Sequence, residues 1–474
     1  MQSFIGLEIH IHLATETKMF CGCRARFGDE PNSNVCPVCM GYPGTLPVAN
    51  QKALFLGYVI ARALNCELSP RTVFERKNYF YPDLPKNYQI SQFEHPIGRN
   101  GFVMVPMPDG TIKKVRIHDA HLEEDAGKMI HAGDMSLIDY NRAGYPLMEI
   151  VTEPDLTTGE EAEAFLIHFQ RVIRYLGVSD GNMEEGSMRC DANVSVNFPG
   201  RGLGTKVEIK NLNSSRFVKK ALNFEIQRQF EILNQGGKIR QETRLWNENR
   251  DLTEVMRTKE MANDYRYFPE PDMPPFEPDE AFLQEVEKAQ TELPDQKKKR
   301  FMEEYLLTDE LAEFLIASRP VADYFEDVVR SGIQASLVAT WLSGDIQKLL
   351  NRHNVELLNS PMTKERLSQL LKLLVEERIH GKIAKKLAEL VFEENKDPEV
   401  IMVERKMEQI IDTEKLRSFV EEVGNEFQHV VQAVKQGDLR QRGFLVGKVM
   451  EKSDGRAHPQ RLQQVFDAYL AEVK

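Results

Sequence analysis

The stretch Phe268-Pro-Glu-Pro-Asp-Met-Pro-Pro-Phe-Glu-Pro278 carries five prolines and divides the sequence into two unlike parts. Each proline lacks a backbone N–H and blocks a helix, so the stretch indicates a domain boundary. Before it, short alternating runs and Gly/Pro turns predict strands. After it, apolar residues recur at helical spacing. The pattern predicts an α+β protein, with a mixed, β-sheet-rich N-terminal cradle domain and flanking helices, followed by an all-helical domain and a small helical tail.

Helical periodicity places the individual elements. Two helices are predicted before the proline stretch, at about 160–175 and 214–234; Thr157 or Thr158 can cap the first. Five apolar-periodic segments follow the stretch, at 295–318, 320–331, 333–352, 363–377 and 380–394, with a further helical unit at about 400–474. We therefore predict domains at 1–292, 293–402 and 403–474.

Composition and charge limit the classes of function. With 41% hydrophobic and 28% charged residues, the chain of 474 residues resembles ordinary globular proteins. No apolar run approaches the roughly 20 residues that cross a bilayer, and the N-terminus lacks the pattern of a signal peptide. We therefore expect a cytoplasmic protein without a membrane partner. The net charge of -12 argues against binding nucleic acid through bulk positive charge, although a local basic patch stays compatible with it.

Four of the six cysteines form a C-x-C…C-x-x-C arrangement. Cys21 and Cys23 lie a short loop away from Cys36 and Cys39. Two close thiolate pairs can complete a tetrahedral S₄ site, and no histidine interrupts the set. This spacing predicts a closed, structural zinc site. The alternative interpretation, four buried reduced cysteines, explains such close spacing poorly.

The segment from Glu8 to His12 alternates strictly between polar and apolar residues. On a strand, Glu8, His10 and His12 share one face while the two isoleucines between them are buried on the other. A carboxylate beside imidazoles can hold a divalent cation. An exposed polar strand face would show the same alternation.

Further acids occur in two other segments. Residues 118–125 contain four acids and two histidines, which repel one another unless they are solvated or paired with a cation. Glu149 lies inside an apolar strand, where an unpaired carboxylate is costly. Three acidic strands that converge would suit Mg²⁺ and phosphoryl chemistry. For any one of these acids, a structural salt bridge is the alternative.

The sequence lacks the usual phosphate-binding loops. Residues 443–448 resemble a P-loop fragment, but the spacing is one residue short and Val449 stands where a Ser or Thr is needed. An aromatic and basic loop at 76–92 is a candidate for RNA contacts, in which Tyr79, Tyr81 and Tyr88 stack bases while Lys77 and Lys86 face phosphates. An ordinary aromatic core beneath a long loop is equally compatible with it.

Eight strings of residues resemble the B-subunit family of the aspartyl/glutamyl-tRNA(Asn/Gln) amidotransferases, in the same order and over essentially the whole chain. They are GLEIHIHL (6–13), EPNSN (30–34), YPGTLPV (42–48), RKNYFYPDLPKNYQISQ (76–92), HLEEDAGK (121–128), DYNRAGYPLMEIVTEPD (139–155), MRCDANVSV (188–196) and VEIKNLNS (207–214). Several strings are long and uncommon, which makes the resemblance specific. It identifies the C-terminal part as a helical domain and a YqeY-like tRNA-binding tail.

The resemblance implies a reaction that spacing alone does not. The enzyme would use ATP and Mg²⁺ to phosphorylate the side-chain carboxyl of Glu-tRNA(Gln) or Asp-tRNA(Asn). Ammonia, released from glutamine by a partner amidase (glutaminase), would then displace the phosphate. A small third protein would complete the heterotrimer.

The resemblance also implies roles for particular residues. It assigns His10, Glu124 and Glu149 as Mg²⁺ ligands, with Glu8 nearby; Glu123 competes with Glu124, because alternation lets only one of them face the site. The nucleotide or acyl-adenosine pocket is expected to contain Asp191, Asn193 and Lys210. The cysteine group would then brace the fold and take no part in catalysis.

A noncatalytic, zinc-containing tRNA-binding adaptor is the alternative function. It accounts for the cysteines, the aromatic loop and a mildly basic C-terminal end. It does not account for convergent acids, because carboxylates repel RNA phosphates unless a metal intervenes.

Overall fold

The computed structural model describes residues 1–258, 264–436, 438 and 440–472. The last two residues of the predicted tail, 473–474, lie outside this range. Contacts divide the chain into two compact units, 1–293 and 294–474. The first unit is mixed and the second is helical, so the α+β prediction is confirmed.

The described residues form fourteen strands, all in the first unit. They are β1 (Gln2–His12), β2 (Glu67–Leu68), β3 (Glu75–Asn78), β4 (Tyr88–Ser91), β5 (Gly98–Pro106), β6 (Ile112–Glu124), β7 (Lys128–Ala132), β8 (Met135–Asp139), β9 (Pro146–Thr152), β10 (Met188–Asn197), β11 (Val207–Leu212), β12 (Glu242–Asn247), β13 (Leu252–Thr258) and β14 (Phe268–Pro269). Nine of them build one sheet in the order β13-β12-β11-β10-β1-β9-β6-β5-β2. All neighbours in this sheet are antiparallel except β11 and β12. The others form a small sheet, β14-β3-β4, and the hairpin β7-β8.

The described residues also form sixteen α-helices. They are α1 (Gln51–Ala63), α2 (Gly159–Tyr175), α3 (Ser215–Asn234), α4 (Glu280–Ala289), α5 (Pro294–Glu304), α6 (Asp309–Ile316), α7 (Arg319–Arg330), α8 (Ala335–Trp341), α9 (Gln347–His353), α10 (Lys364–Val375), α11 (Gly381–Glu394), α12 (Pro398–Glu404), α13 (Thr413–Glu426), α14 (Gln428–Lys435), α15 (Arg440–Lys452) and α16 (Pro459–Glu472). A short π-helix (Leu342–Ile346) joins α8 to α9, and a short 3-10 helix covers Leu357–Asn359. Thr158 caps α2 as predicted, because its side chain accepts from the N–H of Glu161.

The main sheet has one apolar and one polar face. Ile9 and Ile11 of the central strand β1 are fully buried and share a hydrophobic cluster with residues of α1, α2 and α3. Glu8, His10 and His12 alternate with them on the opposite, half-buried face. The helices therefore cover one side of the sheet, and the polar side chains gather on the other.

The helical unit contains two hydrophobic clusters, one from Phe301 to Met402 and one from Leu416 to Tyr469. The division of this unit into a helical domain and a tail stays a prediction. The apolar period over 295–318 spans two helices, because Leu306 adopts a positive φ of 53° between α5 and α6. Among the described residues, no helix is both long and apolar enough to span a membrane.

Candidate functional site

Strand register aligns four side chains in one row across the polar face of the sheet. From β6 through β9 and β1 to β10, the paired residues are His121, Glu149, His10 and Arg189. Directly paired residues of neighbouring strands lie on the same face with their Cβ atoms roughly 5 Å apart. Side chains far apart in the sequence therefore become neighbours.

One group on this row has the composition of a metal site. The Nε2 atom of His10 lies 3.1 Å from an oxygen of Glu149 and 3.8 Å from an oxygen of Glu123. Each of the three residues offers a ligand atom, and these atoms lie within 4.8 Å of one another. The site therefore combines one imidazole with two carboxylates.

Glu124 lies on the other face of β6. Its carboxylate pairs with the ammonium of Lys86 and accepts a hydrogen bond of 2.9 Å from the N–H of Ile90. The structure therefore does not bring Glu124, assigned above as a Mg²⁺ ligand, to His10 and Glu149; its competitor Glu123 stands there. The physical reason is strand alternation: Ala120, Leu122 and Glu124 share the covered face of β6.

His121 contacts Glu149 and is itself held by Asp119. His121 lies 3.4 Å from Glu149 through Nε2 and 2.8 Å from Asp119 through Nδ1. Burial opposes protonation of His121, but the two carboxylates raise its pKa to about 10. Burial likewise opposes ionisation of Glu149, but His10 and His121 hold its pKa well below the ordinary value. This network keeps the Glu149 carboxylate ionised and fixed in place.

A second acidic group lies beside the first, where β1, β10 and β11 are adjacent. The carboxylates of Glu8, Asp191 and Glu208 lie within 4.8 Å of one another. Lys210 pairs with Asp191 and, at 3.2 Å, with Glu208. Asn193 donates to Glu8 at 2.7 Å. The structure thus brings the three residues proposed for the nucleotide pocket next to Glu8.

Asp125 contacts both Arg189 of the row and His12, which lines a large cavity. This buried carboxylate accepts from Nε2 of His12 at 2.7 Å and also pairs with Arg189 and, at 3.4 Å, with Arg142. Burial opposes its ionisation, but the two guanidinium groups hold the pKa of Asp125 well below the ordinary value. His12 also lines a cavity of about 610 Å³, which the loop at 26–32 and the hairpin β7-β8 enclose further. Its volume lies in the usual range for small-ligand sites.

The four predicted zinc ligands form a compact group of their own. The sulfur atoms of Cys21, Cys23, Cys36 and Cys39 all lie within 4.8 Å of one another. The fully buried Lys18 directs its ammonium to the sulfur of Cys39 at 3.7 Å. A hydrogen bond from Cys21, together with this ammonium, lowers the pKa of the Cys39 thiol to about 4. Such a group can hold a metal ion, because a metal binds the thiolate form.

The aromatic loop is only partly open to a ligand. Tyr88 is covered by the guanidinium of Arg76, 4.3 Å from its ring centroid, and Tyr79 makes an edge contact with the ring of Tyr265. Tyr81 remains 49% exposed. Among the three tyrosines named above, it has the ring surface for a base to stack on.

Sequence reasoning missed several residues of the site. Arg189 and Glu208 occurred only inside two of the strings that carry the resemblance, and Asp119 and His121 occurred among the acids and histidines of residues 118–125. Lys77, predicted above as a phosphate contact, lies in the field of Glu123 and Glu149, which keep its pKa raised against the effect of burial. The signal for Glu123 was available, because the apolar Ala120 and Leu122 mark the covered face at this end of β6 and leave Asp119, His121 and Glu123 on the other.

Comparison with known proteins shows the family to which the chain belongs. Residues 3–284 match the model of the GatB/GatE catalytic domain, and residues 323–470 match that of the GatB domain. The chain belongs to this family. It is 47% identical to the B subunit of the aspartyl/glutamyl-tRNA(Asn/Gln) amidotransferase of Carboxydothermus hydrogenoformans, over 100% of this chain and 99% of that protein. The proteins of the same name from Persephonella marina and Thermoanaerobacter sp. (strain X514) are each 46% identical, over 98% and 99% of both chains.

Proposed function

We propose that this chain is the tRNA-binding, substrate-activating B subunit of a tRNA-dependent amidotransferase. The substrate is Glu-tRNA(Gln), Asp-tRNA(Asn) or both. An oxygen of the side-chain carboxylate attacks the γ-phosphorus of ATP, and ADP leaves. Ammonia then attacks the activated carbonyl, phosphate leaves, and one proton is lost to give the amide. A partner amidase supplies the ammonia from glutamine, and a small third protein completes a heterotrimer.

The convergence of His10, Glu123 and Glu149 carries this proposal. Two carboxylates and an imidazole fit a divalent cation that keeps positions open for water or phosphate oxygens. When bound there, Mg²⁺ would offset charge on the oxygens of the phosphoryl group during transfer. We assign Glu123 to this site in place of Glu124, since Glu124 is occupied by Lys86 on the other face.

The surrounding residues have separate tasks. His121, itself held by Asp119, orients the Glu149 carboxylate. Lys210 offsets one of the two negative charges of Asp191 and Glu208, so that an anionic nucleotide meets less repulsion beside Glu8. The buried Oδ1 atom of Asn193 has no hydrogen-bond partner among the described residues, which leaves an acceptor for a ligand donor at this position.

We assign a structural zinc ion to the four cysteines. Four sulfurs within 4.8 Å fit the tetrahedral S₄ set of closed zinc sites. The four cysteines fill all four positions of a tetrahedral zinc ion, so the site offers no open position for a substrate.

Reconstitution with the two partner proteins tests the function. We expect ATP hydrolysis that depends on mischarged tRNA and on Mg²⁺, and amide formation when glutamine is added. Binding of the tRNA without ATP hydrolysis would contradict the proposal and favour the zinc-containing adaptor.

Removing residues 405–474 should weaken tRNA binding and leave glutamine hydrolysis by the partner unchanged. Equal tRNA affinity of the shortened chain would show that the tail takes no part in tRNA recognition.

A further inference from the structure

Arg189 is the arginine of the row of side chains on the polar face. It is paired in register with His10, and Asp125 holds one end of its guanidinium group. Its side chain is still 38% exposed. Its Nε atom is buried and, in the part of the chain that the structure describes, has no hydrogen-bond partner. A buried donor left in this state is destabilising, and a small rotation toward a bound anion would give it a partner.

The surroundings explain why an anionic substrate needs this cation. The metal-type group and its neighbour present five carboxylates to the polar face, those of Glu8, Glu123, Glu149, Asp191 and Glu208. An entering carboxylate is repelled by them at short range. Lys210 is already shared between Asp191 and Glu208.

Arg142, the other arginine at Asp125, is committed to the backbone. Its Nε atom donates to the carbonyl of Ala126 at 3.0 Å, and a terminal nitrogen donates to that of Gly127 at 2.8 Å. Of the two guanidinium groups at Asp125, that of Arg189 therefore retains its Nε donor for a ligand, while the Nε of Arg142 is used by the backbone.

We propose that Arg189 binds the side-chain carboxylate of the aminoacyl group and holds it beside His10, Glu123 and Glu149. This inference rests on the proposed function and adds the residue that recognises the reacting group. A guanidinium fork pairs with a carboxylate through two parallel hydrogen bonds. The amide product carries no charge and offers one acceptor oxygen, so it binds Arg189 more weakly. The same residue thus favours entry of the acid and release of the amide.

Equilibrium binding tests the assignment without turnover. The reconstituted complex, with Mg²⁺ and without ATP, is titrated with Glu-tRNA(Gln), with Gln-tRNA(Gln) and with the deacylated tRNA. We expect the wild type to bind the glutamyl form ~10-fold more tightly than the glutaminyl form, as loss of a charged hydrogen-bonded pair implies. In Arg189→Met the glutamyl form should bind no more tightly than the glutaminyl form, while the affinity for deacylated tRNA stays unchanged and reports an intact fold.

Two further variants keep the test decisive. Arg142→Met also removes a cation from Asp125 and should retain the difference between acid and amide. Arg189→Lys keeps the charge at Asp125, loses the fork, and should retain only part of the difference; because it preserves the ion pair, it also serves if the methionine variant does not fold. Asp125 keeps His12 and one arginine in every variant.

Three outcomes overturn the inference. The first is a wild type that binds both aminoacyl forms equally. The second is an unchanged preference in both Arg189 variants. The third is a loss of ATP affinity in Arg189→Met with the preference retained, which assigns the guanidinium to a phosphate. Failure of the proposed function is a different result, namely no tRNA-dependent ATP hydrolysis by the wild type.

Discussion

The four-cysteine group and the group of His10, Glu123 and Glu149 both bring metal-ligating atoms within 4.8 Å, but their sequences are organised in opposite ways. The cysteines lie within nineteen positions of one loop region. The other three ligands come from β1, β6 and β9 and span 140 positions, and only the register of the sheet brings them together. The first group therefore depends on local chain geometry, and the second depends on the fold of the whole unit.

This difference has consequences for function. Zinc completes a closed set of thiolates and can cross-link a loop that has little hydrophobic core of its own. The imidazole and the two carboxylates project from a rigid sheet, and rigid elements hold reacting groups more accurately than loops do. Catalysis is thus expected to fail when the sheet ligands change, and stability when the cysteines change.

The largest effect is expected at Glu149. Replacing it with Gln removes the charge between His10 and His121 but keeps the shape of the side chain. We expect tRNA-dependent ATP hydrolysis to fall by more than ~100-fold, beyond the range that supporting residues of a metal site show. Circular dichroism and tRNA binding should stay near wild type. Activity within a few-fold of wild type would contradict the metal assignment.

Adjacent glutamates of β6 give the next comparison. Glu123→Gln should reduce ATP hydrolysis strongly and change stability little. Glu124→Gln leaves the largely buried ammonium of Lys86 without its carboxylate and should lower the free energy of unfolding by roughly 3–5 kcal/mol. Urea unfolding and ATP hydrolysis, measured on both variants, distinguish the two roles. The reverse result would return Glu124 to the metal site.

Removal of the zinc ligands should affect stability first. In the double variant Cys36→Ser, Cys39→Ser, we expect loss of bound zinc and a loss of stability on the order of 4 kcal/mol, because loss of a metal is among the mechanisms that produce the largest effects of substitution. Limited proteolysis of the 21–48 loop and metal analysis measure both effects. Below the temperature of unfolding, ATP hydrolysis should persist; its complete loss in a folded chain would show that the cysteines act in catalysis.

The sequence allowed the cysteine group to be predicted and only half of the sheet site. Spacing alone identified the four cysteines, and alternation identified the polar face of β1. The partners of His10 depend on strand order and register, which antiparallel pairing of distant segments does not reveal in one sequence. The place of Glu123 in the site could have been predicted, since Ala120 and Leu122 mark the opposite face. That of Arg189 could not, because nothing in the sequence shows that β10 pairs with β1 and so makes Arg189 a neighbour of His10.

The buried carboxylate of Glu326 in the helical unit is paired with cationic side chains of the protein itself. It can therefore be compared with the two groups to which we assign a metal ion. Glu326 lies between Lys297 at 3.2 Å and Arg300 at 2.7 Å, and its side chain is 7% exposed. Burial opposes its ionisation, but Arg300 and Lys297 lower the pKa of this carboxyl below the ordinary value. A carboxyl with a lowered pKa in the folded state stabilises the fold above its unfolded pKa, and this contribution is lost as the pH falls through the folded pKa.

We therefore expect Glu326→Gln to lower the free energy of unfolding by about 1–3 kcal/mol at neutral pH. The difference from wild type should shrink as the pH falls below the ordinary pKa of a glutamate, about 4.3, and through the lowered pKa of the folded state, where the wild-type carboxyl also becomes neutral. Glu303→Gln is the matched control, since Glu303 is 65% exposed and lies 3.8 Å from Lys299, where a pair contributes little. Chelators should leave both differences unchanged. A deficit in Glu326→Gln that is independent of pH would mean that packing, and not charge, stabilises this part of the helical unit.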